Sequence, residues 1–256
     1  MQTPTSLASG TTIAVIGAGR LGRVLAQALR ASGIEVQGPL GRDGRIPDVD
    51  IIVLCVPDAS IVEVAAAARP HARFLGHVSG ASPLADVDFS IHPLQTFTGA
   101  ESPEAFHGIG AAIAGRTDEA LAIAEQLACV LGARPFRIDD AHRASYHAAA
   151  SFSSNFVLAV LDAAEQLAAA AGIGAEDART LFAPLVRRTV DNWAEHGADA
   201  VLTGPIARGD EATVARQRAA AEQLDLQELF DSLALATRAI AARSFAGIAE
   251  SQESRA

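Results

Sequence analysis

The chain predicts an α/β fold: an N-terminal, mostly parallel sheet covered by helices, followed by a second, all-helical C-terminal domain. Three observations predict it. A β-branched run ends in three glycines spaced G-x-G-x-x-G and opens straight into a helix. Continuous apolar runs of strand length then alternate with helical periodicity as far as residue 139. Beyond that point the strand-like runs stop, and alanine-rich helical periodicity continues to the end of the 256 residues.

The first strand and helix lie in TIAVIGAGRLGRVLAQAL, residues 12–29. Ile13, Val15 and Ile16 lead into Gly17, Gly19 and Gly22, and Leu21, Val24, Leu25, Ala28 and Leu29 recur at helical spacing. Gly17 permits a tight turn, Gly19 lets the backbone approach a pyrophosphate, and Gly22 lets helix and strand pack closely. This is the Rossmann-type arrangement, and it makes Gly17, Gly19, Arg20, Leu21 and Gly22 candidate dinucleotide contacts.

Ser32 and Gly33 close the first helix, and residues 34–38 read as the second strand. An NAD site would place a carboxylate at the end of that strand, but the chain runs GPLGRDGR. Arg42 and Arg45 suit a 2′-phosphate by bidentate geometry, so NADP(H) is the expected cofactor, with Asp43 and Glu35 leaving NAD open. The apolar run of residues 50–56 reads as a strand covered on both faces, ending at Pro57 and Asp58. A helix through Ile61, Val64, Ala65 and Ala68 leads to a strand over 74–78 that ends in Ser79, Gly80 and Ala81. Ligands of open parallel sheets bind at the carboxyl ends of the strands, which makes Val56, Pro57, Ser79 and Gly80 candidate cofactor contacts. A strand over 89–91 leads into SIHPLQTF, where Pro93 biases His92 toward extended geometry, either in the cleft or in ordering a turn. Residues 110–114, a helix over 117–131 and a strand over 134–138 complete a domain that spans 1–139.

The second domain spans 140–256. Its first helix is expected over 141–171, with Tyr146, Ala150, Ser153, Val157 and Val160 forming a packing stripe. His147, Ser151 and Asn155 follow one another at i, i+4 along a neighbouring face, a polar line in a helix of small apolar residues. Either they satisfy one another against other helices or they carry chemistry. The next helix, 175–196, contains Pro184 and is expected to kink or divide there. The loop TGPIARGD, residues 203–210, then gathers Thr203, Gly204, Pro205, Arg208 and Asp210 just before a further helix. It reads as a ligand loop or as an arginine-aspartate brace between helices. The last helix carries Leu226, Leu229, Phe230, Leu233, Thr237 and Ile240, and SQESRA frays.

Composition limits the function. Half the residues are hydrophobic, enough for a full core, and the formal net charge of −10 disfavours nucleic acid and anionic lipid as partners. A small-molecule substrate is expected. All 20 basic residues are arginine, which excludes a Schiff-base lysine, a P-loop lysine and a lysine general acid. Cys55 and Cys129 lie far apart in apolar segments, so neither a disulfide framework nor a metal is expected. MQTPTSLASG has no signal-peptide character and reads as a short disordered lead-in, and no apolar run is long enough to cross a bilayer. The expected location is cytoplasmic.

Four segments are specific enough to carry a resemblance: HVSGA at 77–81, HPLQTF at 92–97, YHAAASFSSNF at 146–156 and TGPIARGD at 203–210. They resemble bacterial proteins that join a Rossmann-like domain to a DUF2520 domain, a branch of the group containing pyrroline-5-carboxylate reductase, ketopantoate reductase and the 6-phosphogluconate-dehydrogenase-like hydroxyacid dehydrogenases. Some of that branch are associated with pantothenate biosynthesis. The resemblance implies an oxidoreductase that reduces a 2-oxo acid such as ketopantoate with NADPH, and a homodimer joined through the helical domain. An imine reductase of the pyrroline-5-carboxylate type and a non-catalytic NADP-binding regulator are the alternatives. The related dehydrogenases pair an asparagine with a lysine one turn earlier on the first helix of the second domain. Here Asn155 takes the asparagine's place, but Ser151 stands where the lysine is expected. The resemblance then makes His147 the proton donor, directly or through a water held by Ser151, with Arg208 holding the substrate carboxylate and Asp210 orienting it.

Overall fold

A computed structural model describes residues 7–253. The expected disorder of the first six residues and of the last three lies outside the described residues. The chain divides into two compact units, 1–154 and 155–256.

The first unit is an α/β sandwich built on one seven-stranded sheet of order β2-β1-β3-β4-β5-β6-β7. The strands are β1 (Thr12–Ile16), β2 (Glu35–Leu40), β3 (Val49–Leu54), β4 (Ala72–His77), β5 (Phe89–Pro93), β6 (Gly110–Gly115) and β7 (Arg134–Arg137). β1 to β5 are parallel, so their carboxyl ends share one edge, whereas β6 runs antiparallel to β5 and parallel to β7. Alternation along the buried strands feeds two cores. Ile13, Val15, Ile51 and Val53 face α1 (Arg20–Ala31) and α3 (Asp118–Val130), while Ala14, Ile16, Ile52 and Leu54 face α2 (Ile61–Ala68). The chain order reverses between β1 and β3, and the glycine turn lies at that switch point.

The second strand extends two residues beyond its expected end, to Leu40. The Arg30 guanidinium, from the last turn of α1, donates to the carbonyls of Val36 and Gly38 and fastens the strand alongside. α3 starts at a Thr117 N-cap whose hydroxyl accepts the Ala120 N–H at 3.1 Å.

The single helix expected over 141–171 is instead two. α4 (Arg143–Ser153) belongs to the first unit and α5 (Asn155–Ala170) to the second, with Ser154 between them at φ −135°, ψ −76°. The serines explain the break. Ser153 and Ser154 donate their hydroxyls to the carbonyls of Ala149 and Ala150, competing with the helical ladder. The first unit therefore extends past Asp139, and α4 is tied to the sheet through Arg143, which is only 3% exposed.

The second unit consists of α5, α6 (Ala175–His196), α7 (Ala198–Val201), α8 (Glu211–Glu222) and α9 (Gln227–Glu253). α6 contains Pro184 and does not divide there, although proline removes one helical hydrogen bond. The hydrophobic residues buried among its described positions are small: Ala168, Ala178, Val214, Ala221, Ala234 and Ala241. Phe156, Leu158, Leu181, Leu185, Trp193 and Leu235 are exposed. Arg218 grips Asp231 with two parallel bonds of 2.9 Å, joining α8 to α9. Among the described residues no helix is long and apolar enough to cross a membrane.

Candidate active site

The glycines of the first turn are held by contact. A Cβ on Gly17, where φ is +113°, would lie 2.2 Å from the Cys55 carbonyl oxygen, and one on Gly22 would lie 1.9 Å from the Gly17 oxygen. Gly19 differs: nothing stands within 4 Å of its absent Cβ. It is the N-cap of α1 and offers no side-chain cap, leaving an open approach to the helix N-terminus. Arg23 closes the turn from behind, its Nε donating to the Ala18 carbonyl at 2.9 Å. Burial pushes the Cys55 thiol behind this turn up to about 12, so it is an inert packing group.

Beside the turn lies a cavity of about 510 Å³, lined by Gly17, Ala18, Gly41, Arg42, Val56 and Pro57 among others. It opens between the exits of β1, β2 and β3. Arg42 lines it and Arg45 does not, which separates two arginines the sequence left equivalent. These residues fit a dinucleotide: the open Gly19 leaves room for a phosphate at the helix N-terminus, and Arg42 stands on the β2 side, where an adenosine half would lie. Of the other candidates, Leu21 turns its side chain into the core. Arg20 is exposed, and a segment from the β5 exit passes close to its backbone. There Gly99, at φ +95°, has no Cβ, and one would come within 3.2 Å of the Arg20 Cα. That segment is pinned by Glu101, which accepts from the Thr98 N–H, the Thr98 hydroxyl and the Gly99 N–H at 2.6 to 2.9 Å. The Thr98 hydroxyl and N–H draw its pKa down to about 2.

Continuing along the carboxyl edge, β4 and β5 deliver a histidine cluster. His77 is fully buried; its Nε2 bonds the Pro83 carbonyl at 3.2 Å and its Nδ1 accepts the Ser79 N–H at 3.2 Å. Burial holds it below the usual histidine range. Ser79 donates its hydroxyl to Asp58 at 2.8 Å and accepts the N–H groups of Ala81 and Ser82. That hydroxyl shapes the turn after β4 and all its bonds are internal. Gly80 is small for a reason the sequence did not show. A Cβ there would lie 3.0 Å from His147 Nδ1 and 3.0 Å from both Nδ1 and Cε1 of His92.

His92 bonds the Tyr146 hydroxyl through Nδ1 at 2.6 Å, and its ring centroid is 6.1 Å from that of His147. Burial, then the charges of His147 and Arg143, push His92 down to about 4. Burial pushes Tyr146 up to about 12 against the opposing pull of Arg143. Arg143 anchors the helix that carries Tyr146 and His147. Its Nε meets Asp140 at 2.5 Å and its Nη2 meets the buried Ser90 hydroxyl at 2.7 Å. Asp140 also accepts the Leu84 N–H. Burial raises the Asp140 pKa, but the bonds from Arg143 and Leu84 outweigh it and hold the carboxyl below its ordinary range.

The polar line expected along one helix is interrupted. His147 and Ser151 share a face of α4, while Asn155 opens α5 beyond the break at Ser154. The Asp210 carboxylate accepts the Thr213 N–H at 3.1 Å as the N-cap of α8; the Thr213 hydroxyl and N–H, and to a lesser degree the charges of Arg216 and Arg208, lower its pKa, and no direct bond to Arg208 is among those described. Arg208 is exposed and lines a cavity of about 300 Å³ with Thr203, Gly204 and Ala207. No described acceptor binds its guanidinium. Sequence reasoning missed Arg143, which looks like any surface arginine, and placed Tyr146 in a packing stripe. The signal for Tyr146 was its being the one tyrosine of the chain, beside His147 in a run of alanines.

The sequence profile of the family described as "Domain of unknown function (DUF2520)" matches residues 109–237, half of the chain. The chain belongs to the DUF2520 family. The matched region begins at β6, so this DUF2520 protein holds the family segment partly in its sheet and partly in its helices. No curated protein matches it in sequence. Among solved structures it is similar to BF3122 of Bacteroides fragilis, described as an NADP oxidoreductase, at 22% identity over 89% of this chain and 98% of that one, with a TM-score of 0.75. It is similar to TM1727 of Thermotoga maritima at 23% identity over 91% and 98%, with a TM-score of 0.72. A Plasmodium falciparum pyrroline carboxylate reductase with NADP bound shares 11% identity over 90% and 98%, with a TM-score of 0.57. At these identities the likeness is one of fold.

Proposed function

We propose that this DUF2520 protein is an NADP(H)-dependent reductase of a small 2-oxo acid, with 2-dehydropantoate (ketopantoate) as the leading substrate. The observation that carries the reading is the open Gly19 at the helix N-terminus beside a cavity that Arg42 lines. Arg42 is the group that binds the 2′-phosphate. NADPH, when bound, would supply the hydride. On the protein side, His147 gives a proton to the reduced oxygen, Ser151 holds a water for it, Asn155 orients the oxo group and Arg208 binds the carboxylate. The fold relatives described as an NADP oxidoreductase and as a reductase with NADP bound support the cofactor. The pyrroline carboxylate reductase among them favours a second reading, reduction of a cyclic imine. A homodimer through the helical unit is supported by that unit's small buried residues and exposed large ones. The test is oxidation of NADPH and of NADH against a panel of 2-oxo acids and cyclic imines. Turnover of ketopantoate with NADPH preference is expected. Turnover of imines alone selects the second reading, and tight NADPH binding without any turnover identifies a regulator.

A further inference from the structure

Tyr146 is held by two neighbours, His92 and Phe136. Its hydroxyl lies 2.6 Å from His92 Nδ1, and its ring meets His92 edge-on at 5.5 Å and Phe136 at 5.9 Å. The hydroxyl is therefore aimed by contacts on both sides of the ring rather than left to rotate. His147, the next residue, brings its Nδ1 to the same Gly80 corner as His92. The corner lies where β4 and β5 leave the sheet, on the opposite side of the glycine turn from Arg42. A dinucleotide with its adenosine half beside Arg42 extends its nicotinamide half toward these strand exits. Groups that act on His92 are His147 and Arg143 from α4, His77 from β4 and Asp58 from the turn after β3.

We propose that Tyr146 and His92 form a proton-transfer couple beside His147, in which the Tyr146 hydroxyl protonates the reduced heteroatom of the substrate and His92 reprotonates Tyr146. The proposal rests on the reductase reading. Hydride adds to the carbon of a C=O or C=N bond, the π pair moves to oxygen or nitrogen, and that atom takes the Tyr146 proton. The phenolate oxygen takes the Nδ1 proton of His92 while Nε2 takes one from water, and exchange with solvent resets the tautomer. One hydride and one proton are added in all. Both members are neutral through the physiological range, so the couple relays a proton without holding a charge beside the Arg143 cation. On this proposal the couple, and not His147 as in the simpler scheme above, gives the substrate its proton: His147 is exposed to solvent, whereas Tyr146 and His92 are half-buried. Tyr146 is a catalytic residue in this scheme and His92 a positioning and relay residue.

Two measurements test it. The first needs no turnover: at pH 7 the ¹⁵N imidazole resonances of His92, assigned with His92→Gln, are compared between the wild-type chain and Tyr146→Phe. Loss of the hydroxyl must move the Nδ1 resonance; an unchanged spectrum overturns the couple. The second is kinetic. Tyr146→Phe keeps the ring contacts, so the variant is expected to bind NADPH normally and to lose roughly 10²- to 10⁴-fold in kcat. A kcat within about twofold of wild type overturns the couple and leaves the reductase reading standing. If the wild-type chain turns over no oxo acid or imine, the reductase reading falls and the catalytic role of the couple with it. Should Tyr146→Phe fail to fold, His92→Gln takes its place in the kinetic arm, with the same expected loss and the same overturning result.

Discussion

Replacing Arg143 by methionine removes the one charged group that ties α4 to the sheet while keeping its length and most of its volume. Two bonds are lost, to Asp140 at 2.5 Å and to Ser90 at 2.7 Å. They are not equivalent. The Asp140 carboxylate is 44% exposed, so water replaces its partner and most of that bond is recovered. The Ser90 side chain is fully buried, and no water replaces the guanidinium there. Leaving a buried hydroxyl unsatisfied costs about 1 to 3 kcal/mol. Adding a residual share for the charged bond, and subtracting the relief of desolvating a guanidinium, gives a net loss of about 2 to 3 kcal/mol. Urea unfolding followed by circular dichroism measures it, with amide exchange in β4 and β5 assigning the loss to the first unit. A slope of about 2 to 3 kcal/mol per molar urea turns that loss into a midpoint lower by about 1 M. Adding Ser90→Ala to Arg143→Met should restore about 1 kcal/mol by removing the orphaned hydroxyl. The sign with pH is fixed as well. Asp140 has a depressed pKa when folded, so its contribution is present above the unfolded carboxylate value and disappears as pH falls through the folded one. Arg143→Met should flatten that acid limb. A loss under about 0.5 kcal/mol, or no recovery in the double variant, refutes this account of Arg143.

Three further outcomes are expected. Arg42→Ala should raise the NADPH dissociation constant by roughly 10- to 100-fold and leave NADH nearly unchanged; calorimetric titration showing equal losses removes Arg42 from the 2′-phosphate. Acid should destabilise the first unit from about pH 6.5 downward, because His77 and His92 are held neutral in the fold and must take up protons on unfolding. His92→Gln should show a shallower loss of melting temperature between about pH 6.5 and pH 4, and an identical slope would exclude His92 as a contributor. Arg208→Lys keeps the charge and loses the fork, so kcat/KM for a 2-oxo acid should fall roughly 10- to 100-fold with NADPH affinity and melting temperature unchanged. Unaffected turnover takes the carboxylate away from Arg208.

Much of the first unit was legible because its signals are local. A β-branched run into G-x-G-x-x-G fixes strand, turn and helix within about a dozen residues, and buried parallel strands declare themselves as unbroken apolar runs. The candidate site was legible at the glycine turn, Gly17, Gly19 and Gly22, and at the strand exits that line the cavity beside it, Arg42, Val56 and Pro57. The helix break was obscured because alanine periodicity continues through residues 141–171, and periodicity does not reveal serine hydroxyls bonding back to the carbonyls of Ala149 and Ala150. Asp210 and Arg208 look like a brace in sequence, separated by one glycine. The nearer donor to Asp210 is the Thr213 N–H, because a helix starts there. For Gly80 the sequence shows only a position at a strand exit. Its neighbours are long-range, two imidazoles from β5 and α4 converging on one point, and spacing along the chain carries no trace of that.

The same Arg143 that fastens α4 also conditions the chemistry at the strand exits. Its charge lies close enough to His92 to favour the neutral imidazole and close enough to Tyr146 to favour the phenolate, although burial outweighs it at the tyrosine. A cation in that position opposes a second one nearby. A lysine one turn before Asn155, where the related dehydrogenases carry it, would add positive charge to the chain segment that already presents Arg143 and His147. Neutral proton carriers avoid that repulsion: an imidazole that relays through two nitrogens and a phenol that never ionises near pH 7 can move a proton beside a guanidinium without either charge being desolvated. The clustering of His92, His147 and Tyr146 at one sheet edge beside Arg143 fits that arrangement. It requires the anchor to be an arginine. A guanidinium reaches Asp140 and Ser90 with separate nitrogens and stays charged at every working pH, whereas a lysine in its place would be driven to lose its proton by burial at 3% exposure.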